Sequence, residues 1–239
     1  MLKQIKRIAK SAFRVANIDI HRIPEYEKNK FVWLIALNIN TVLDIGANIG
    51  QFALEISKFL PNANIYSFEP LRDVFAELIK NTRNIKNFRA FNFAIGDLNG
   101  TANIKRNKFS PSSSLLGMAE LHKEAFPFTQ DIYEEEIMIK RLDYAIKEDI
   151  ELVQNILIKL DVQGYEDKVI VGGKETFAKA KVVIAEVSYY ELYKGQVLFD
   201  GFYDELREIG FKYKGNINNS FHPRKGLPLF ADAVFIKGS

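Results

Sequence analysis

Short apolar runs alternate with stretches of helical spacing along most of this 239-residue chain. That alternation predicts strands joined by helices, hence βαβ units and a parallel sheet. Thr41–Ile45 (TVLDI) reads as a buried strand, Gln51–Phe59 as a helix stopped near Pro61, and Asn64–Phe68 as a second strand. Residues 71–81 read as a helix and 88–93 as a third strand. Residues 155–161 (NILIKLD) and 181–187 (KVVIAEV) are two further buried strands. Between them, 167–179 reads as helical with a break at Gly172-Gly173. A helix over 198–209 is capped by Gly210. Residues 211–214 and 231–236 predict an antiparallel pair at one edge of a mixed sheet, joined by a long loop, 215–230, rich in Asn, Gly and Pro. The middle is less regular: short strands over 101–106 and 136–142 flank a loop at 110–114 (SPSSS).

Before the alternation begins, Leu2, Ile5, Ala9, Ala12, Phe13 and Ala16 keep helical spacing, with Lys3, Lys6, Arg7, Lys10 and Arg14 mostly on the other face. Pro24 ends this amphipathic helix, and 25–38 reads as a second helix carrying Phe31, Trp33, Leu34 and Leu37. The chain thus divides into an N-terminal helical extension, 1–38, and one α/β domain, 39–239.

Composition narrows the function classes. Hydrophobic residues make up 47% and charged residues 26%, as in an ordinary globular domain. Net charge is +3, from 33 basic and 30 acidic residues, too balanced to argue for nucleic acid. The basic excess is local to the first helix, which either rests on an anionic membrane surface or packs its apolar stripe on the domain or a second subunit. Packing is favoured, because the apolar residues are few and small. Oligomeric state is not legible. The absence of cysteine excludes disulfides, thiolate zinc sites and cysteine nucleophiles, and fits a cytoplasmic protein. No apolar stretch approaches the ~20 residues of a membrane span, and no signal-peptide core is present.

The strongest motif is VLDIGANIG at 42–50. A buried strand ends in Asp44, and a turn carrying Gly46, Ala47, Asn48 and Gly50 opens a helix. In open α/β sheets, ligands sit beyond the carboxyl ends of the strands. The glycine spacing is G-x-x-x-G, not G-x-G-x-x-G, and Asp44 would repel a pyrophosphate. A cofactor carrying an ammonium and a sulfonium would favour that charge, so the motif points to S-adenosylmethionine over NAD. Glu69-Pro70 follows the second strand, where an acid accepts from ribose hydroxyls; NAD folds use an acid there too. Ala94-Ile95-Gly96-Asp97, after the third strand, is placed to flank an adenine ring.

Taken in order, VLDIGANIG (42–50), YSFEP (66–70), FAIGDLNGTA (93–102), SSSL (112–115), IKLDVQGYE (158–166) and KVVIAEVS (181–188) resemble the FkbM family of S-adenosylmethionine-dependent methyltransferases. The resemblance covers roughly residues 40–190. It implies a Rossmann-like class I methyltransferase fold, with a mostly parallel seven-stranded sheet and an antiparallel C-terminal strand. It also implies O-methylation of sugars, polysaccharide precursors or secondary metabolites. Asp44, Gly46, Asn48, Gly50 and Glu69 match the family's cofactor motif. Many members carry an acid at the position of Gln163, so a carboxylate role there does not transfer.

Methyl transfer to a hydroxyl needs the acceptor oxygen aligned and its proton removed. Asp161, ending the strand 155–160, is the first candidate as base or metal ligand; the alternative is that it orients the following turn or binds the cofactor. Lys159 shares its strand face. Glu166 is expected to cap a helix start. Glu186 either faces substrate or pairs with a lysine. Of the three histidines, His222 lies in the expected loop 215–230 and is a candidate base or a plain loop residue; His122 is expected to be exposed; for His21, which precedes Pro24, the sequence names no partner. No H-x-x-x-H or His/carboxylate cluster indicates a dedicated metal site, which leaves a divalent metal open. The serines 112–114 either bind ligand or form a polar linker. Acceptor choice is expected in 107–135 and 215–230, where Phe126 and Phe128 lie in the first stretch and Phe221 in the second; with Tyr189, Tyr190 and Tyr193 they form either a sugar-stacking surface or core. No [DN]-P-P-[YF] run is present, which disfavours amino acceptors in nucleic acid. A non-catalytic nucleotide-fold binding protein and an NAD-dependent oxidoreductase are the competing readings.

Overall fold

The computed structural model describes residues 25–238, the side chains of Tyr26 and Glu27 excepted. The expected helix over 2–16, its membrane or packing role, and His21 lie outside the described residues. The chain divides into two compact units at Trp33/Leu34. In place of one helix over 25–38 there are two single turns, α1 (Glu25–Lys28) and α2 (Trp33–Ala36). Asn38 then adopts a left-handed conformation (φ 51°) that ends helical winding before the sheet.

Seven strands form the main sheet: β1 (Thr41–Ile45), β2 (Asn64–Phe68), β3 (Phe88–Phe91), β7 (Ile156–Leu160), β8 (Ala180–Ser188), β9 (Phe211–Phe221) and β10 (Pro228–Lys237). Their order is β3-β2-β1-β7-β8-β10-β9. The first five are parallel, and β10 runs antiparallel to both β8 and β9. This is the mostly parallel seven-stranded class I methyltransferase fold. Helices α3 (Gln51–Phe59) and α4 (Arg72–Thr82) make the crossovers on one side of β1.

Residues 92–155 leave the main sheet. They build a small sheet in which β6 (Ile132–Arg141) lies between β4 (Ala94–Gly96) and β5 (Gly100–Asn107). Helices α5 (Glu120–Ala125) and α6 (Leu142–Asp149) flank β6. The short alternating runs at 101–106 and 136–142 are therefore one antiparallel pair, outside the main sheet. Helices α7 (Glu166–Gly172) and α8 (Lys174–Lys179) are separated at Gly173, where the glycine pair predicts a break. Gly172 also has a packing reason: a Cβ there would stand 1.8 Å from the Gly96 carbonyl oxygen. Helix α9 (Phe199–Glu208) connects β8 to β9.

The expected loop 215–230 is corrected to an extended hairpin, with only 222–227 connecting β9 and β10. Strand β9 pairs with β10 alone through three register shifts, one beside Gly215 (φ 125°). An edge strand with bulges and polar Asn216, Asn218 and Asn219 lacks the alternation that marks a buried strand.

The core fills one face of the main sheet with Leu43 and Ile45, Tyr66 and Phe68, Ile158 and Leu160, Ala185 and Val187, and Ala231 and Ala233. Each pair brackets one polar residue on the opposite face: Asp44, Ser67, Lys159, Glu186 and Asp232. That alternation places a polar row along the carboxyl end of the parallel strands.

Candidate active site

The sheet order reverses between β1 and β7, and the crevice outside such a switch point is where open α/β sheets bind ligands. Here the two strand ends touch: the Asp161 N–H donates to the Ile45 carbonyl at 3.0 Å. Gly46 (φ 82°) follows, and a Cβ on it would lie 1.9 Å from the Asp161 carbonyl oxygen. No other residue fits there.

All five backbone N–H groups of the turn 46–50 are bonded within the protein. Gly46 and Ala47 donate to the Phe68 carbonyl (3.1 and 3.0 Å), and Gly50 donates to the Ala47 carbonyl (2.9 Å). Asn48 donates to Glu69 Oε2 (3.0 Å), and Ile49 to Asn48 Oδ1 (2.8 Å). A pyrophosphate site needs such groups free. What the turn presents instead is carboxylate oxygen.

Asp44 is fully buried, and Ser67 Oγ donates to its Oδ2 at 3.0 Å. Its Oδ1 is buried with no hydrogen-bond partner among the described residues. Burial pushes its pKa up to about 6, against the opposing pull of the Lys159 ammonium. Glu69 accepts from the Leu71 N–H (2.8 Å) as well as from Asn48, and burial pushes it up to about 7 despite those bonds. Asn92, at the end of β3, donates to the Glu69 and Pro70 carbonyls at 2.9 Å each and holds this corner in place. A buried acceptor left open and a second acid at the next strand end fit an ammonium- and diol-bearing cofactor.

Ala94, like Ile49 and Leu115, packs against the small buried cluster of Leu71, Val74, Ile104 and Ile137. The Ile95 side chain belongs to the main core at 2% exposure, so a ligand contact at this position falls to its backbone. Gly96 packs against the Tyr165 ring, and Asp97 Oδ1 accepts from the Tyr165 hydroxyl at 3.1 Å.

Past β7, a second cluster forms. Lys159 Nζ lies 2.7 Å from Asp161 Oδ2, and Gln163 Nε2 donates to Asp161 Oδ1 at 2.7 Å and to Glu186 Oε1 at 2.9 Å. Burial works to lower the Lys159 pKa, but the Asp161 and Asp44 carboxylates overcome it and hold the group above its ordinary value. Asp161 is thus tied at both oxygens, by an ammonium and an amide. Glu186 is raised well above the carboxylate range by burial and then by Asp161, Glu166 and Asp232. Glu166 does not cap its helix as expected: its Oε1 accepts from the N–H groups of Val162 (3.0 Å) and Gly164 (3.3 Å), in the turn before α7, and burial lifts its pKa to about 7. Among the described residues no group of three or more His, Cys, Asp or Glu could hold a metal ion.

Two histidines take places other than those expected. His222 is buried, and its Nδ1 accepts from the N–H groups of Arg224 (3.2 Å) and Lys225 (3.3 Å), which makes it the cap of the β9–β10 turn. Its Nε2 faces Glu124 of α5 at 3.7 Å. A ring whose lone pair is spent on a turn is not available as the general base. His122 is buried, not exposed, with its ring against Phe126 and Tyr193; burial lowers its pKa to about 4 and keeps it neutral.

The serine segment is bonded into the surrounding fold. Ser110 Oγ accepts from the Asn48 side chain (3.1 Å), Ser113 Oγ from the Asn107 N–H (3.0 Å), and Ser114 Oγ donates to the Gln163 carbonyl (2.6 Å). The candidate aromatics divide. Tyr193 is buried and Phe126 packs beside it, Tyr189 lies tilted against Phe199, and Phe128, Phe221 and Tyr190 are exposed. Sequence reasoning missed Asn92, Tyr193 as a hydrogen-bond donor, and Asp232. For Asp232 a signal was present, since ADA in β10 repeats the apolar-polar-apolar triplets YSF, LDI, IKL and AEV.

The family model of the methyltransferase FkbM domain matches residues 44–213. The chain belongs to this family. The match begins at Asp44 and takes in Glu69, Asp161, Gln163 and Glu186, and it ends before Asn218, His222 and Asp232. A relative, the 2-O-methyltransferase NoeI of Sinorhizobium fredii (strain NBRC 101917 / NGR234), is 32% identical over 168 residues, which are 65% of this chain and 66% of the relative. The chain thus spans just under two thirds of that protein. Among solved structures, a precorrin-6y C5,15-methyltransferase from Geobacter metallireducens GS-15 superposes with a TM-score of 0.48 at 10% identity, covering 90% of each chain. The N-methyltransferase NodS from Bradyrhizobium japonicum WM9, in complex with S-adenosyl-L-homocysteine, gives 0.47 at 9% identity, covering 91% of this chain and 90% of that one.

Proposed function

We propose that this FkbM-family protein transfers a methyl group from S-adenosylmethionine to a hydroxyl of a sugar, a polysaccharide precursor or a secondary metabolite. The turn 46–50 carries the reading: its N–H groups are spent inside the protein, and Asp44 and Glu69 stand at the strand ends on either side. Such a site suits a cation with a ribose diol and disfavours the pyrophosphate of NAD. The 2-O-methyltransferase name of the relative supports an oxygen acceptor. The cytoplasmic location expected from the sequence goes with this reading; among the described residues no helix is long and apolar enough to cross a membrane.

When bound, the cofactor supplies a methyl on a positively charged sulfur. The protein's part is to hold and deprotonate. Asp44 and Glu69 would take the cofactor's polar groups. Asp161 has both carboxylate oxygens engaged, one by the Lys159 ammonium and one by the Gln163 amide. Glu186 has one oxygen engaged by a neutral amide and a proton affinity raised by burial, which suits it to take the acceptor's hydroxyl proton.

Calorimetry with S-adenosylmethionine, S-adenosylhomocysteine and NAD tests the cofactor. Asp44→Asn and Glu69→Gln are each expected to weaken the first two about 10- to 100-fold, as loss of a charged hydrogen bond does. A preference for NAD, or no binding at all, would sink the reading. Transfer of labelled methyl to a panel of methyl glycosides separates an enzyme from a binding protein. Glu186→Gln is expected to slow it about 10²- to 10⁴-fold.

A further inference from the structure

Gln163 stands in the left-handed region (φ 57°) and is followed by Gly164 (φ 96°), so the chain turns back over the strand end. A side-chain-bearing residue is strained in this conformation, and its partners must hold it. The Gln163 carbonyl accepts from Ser114 Oγ at 2.6 Å, and its Oε1 accepts from the Tyr193 hydroxyl at 2.6 Å. That leaves the amide nitrogen between two carboxylates, 2.7 Å from Asp161 Oδ1 and 2.9 Å from Glu186 Oε1. A primary amide is neutral, has two N–H groups for two anions, and offers its oxygen to a third partner.

We infer that Gln163, anchored by Tyr193, is a positioning residue that spaces the Asp161 and Glu186 carboxylates and leaves Glu186 as the one poised to accept a proton. The inference rests on the hydroxyl-methylating reading above. Glu186 faces Asp161 beyond β7, Glu166 of α7, Asp232 of β10, the Lys159 ammonium of β7 and the Tyr193 hydroxyl. Three acids against one ammonium favour protonation of Glu186, and the ammonium is already engaged by Asp161 at 2.7 Å. The amide of Gln163 is then the donor that keeps an ionised Glu186 accessible without adding charge. An acid in its place would add a further negative group and remove the donor.

The test uses full-length protein carrying ¹³C-glutamate, with the Glu186 carboxyl signal assigned through Glu186→Gln and titrated without cofactor. Gln163→Glu is expected to move the Glu186 midpoint upward by about one pH unit. Tyr193→Phe, which only loosens the amide, is expected to move it a smaller distance the same way. The acidic limb of the rate profile on methyl glycosides should move with the titration, while S-adenosylmethionine affinity stays within about threefold. A midpoint unmoved in both variants, or activity lowered equally at all pH, overturns the inference. If Gln163→Glu does not fold, Tyr193→Phe decides alone. A moved midpoint in a protein that methylates no glycoside keeps the clamp and removes the acceptor reading.

Discussion

At the scale of single residues, the site depends on a few positions where one side chain, or none, is tolerated. Gly46 is the sharpest. It combines a positive φ with a carbonyl oxygen 1.9 Å from where a Cβ would be, and that oxygen belongs to the chain closing the β1–β7 crevice. Gly46→Ala is expected to cost about 3 kcal/mol or more, or to prevent folding, because backbone and not a flexible side-chain end would have to move. Urea unfolding checks this, and a loss under 1 kcal/mol would contradict the geometry. VLDIGANIG made Asp44, Gly46 and Gly50 legible in the sequence, since strand, acid and glycine turn are local. The roles of Asp161, Glu186 and Gln163 were not, because each is set by partners tens of residues away.

At the scale of elements, the β9–β10 hairpin shows how a buried histidine serves structure. His222 Nδ1 satisfies two turn N–H groups, and the backbone N–H of His222 donates to the Leu227 carbonyl at 2.7 Å. His222→Ala leaves two donors without their acceptor and is expected to cost about 1–2 kcal/mol. Cofactor affinity should stay unchanged. Thermal unfolding beside calorimetry checks both, and a variant of unchanged stability that no longer turns over would restore the histidine to catalysis. The hairpin was hidden in the sequence because β9 is a bulged edge strand whose asparagines read as loop. The parallel strands were plain because burial on both faces makes them almost continuously apolar.

At the scale of the whole molecule, buried acids link stability to pH. Asp44, Glu69 and Glu166 have folded pKa values of about 6, 7 and 7, above their ordinary values, and burial is the first cause in each. The folded state therefore holds more protons than the unfolded chain between about pH 4 and pH 7, and stability falls as pH rises through that window. Across the whole window each shift corresponds to roughly 3 kcal/mol. The cofactor-free protein should melt at a lower temperature at pH 8 than at pH 5.5, by a smaller margin in Glu69→Gln. Melting curves at the two pH values decide it, and an equal or higher melting temperature at pH 8 would show that these acids ionise freely in the fold.

The sequence by itself determined the α/β class, the parallel strands, the glycine turn 46–50 and its acid partner Glu69. These rest on periodicity and on glycine and carboxylate spacing, which act over a few residues. Only the tertiary structure decided the small sheet of β4, β5 and β6, the hairpin, and the placement of Glu186, Gln163 and Tyr193 in one cluster. Strand register, burial and charge proximity set those features, and they exist only once distant segments pack together.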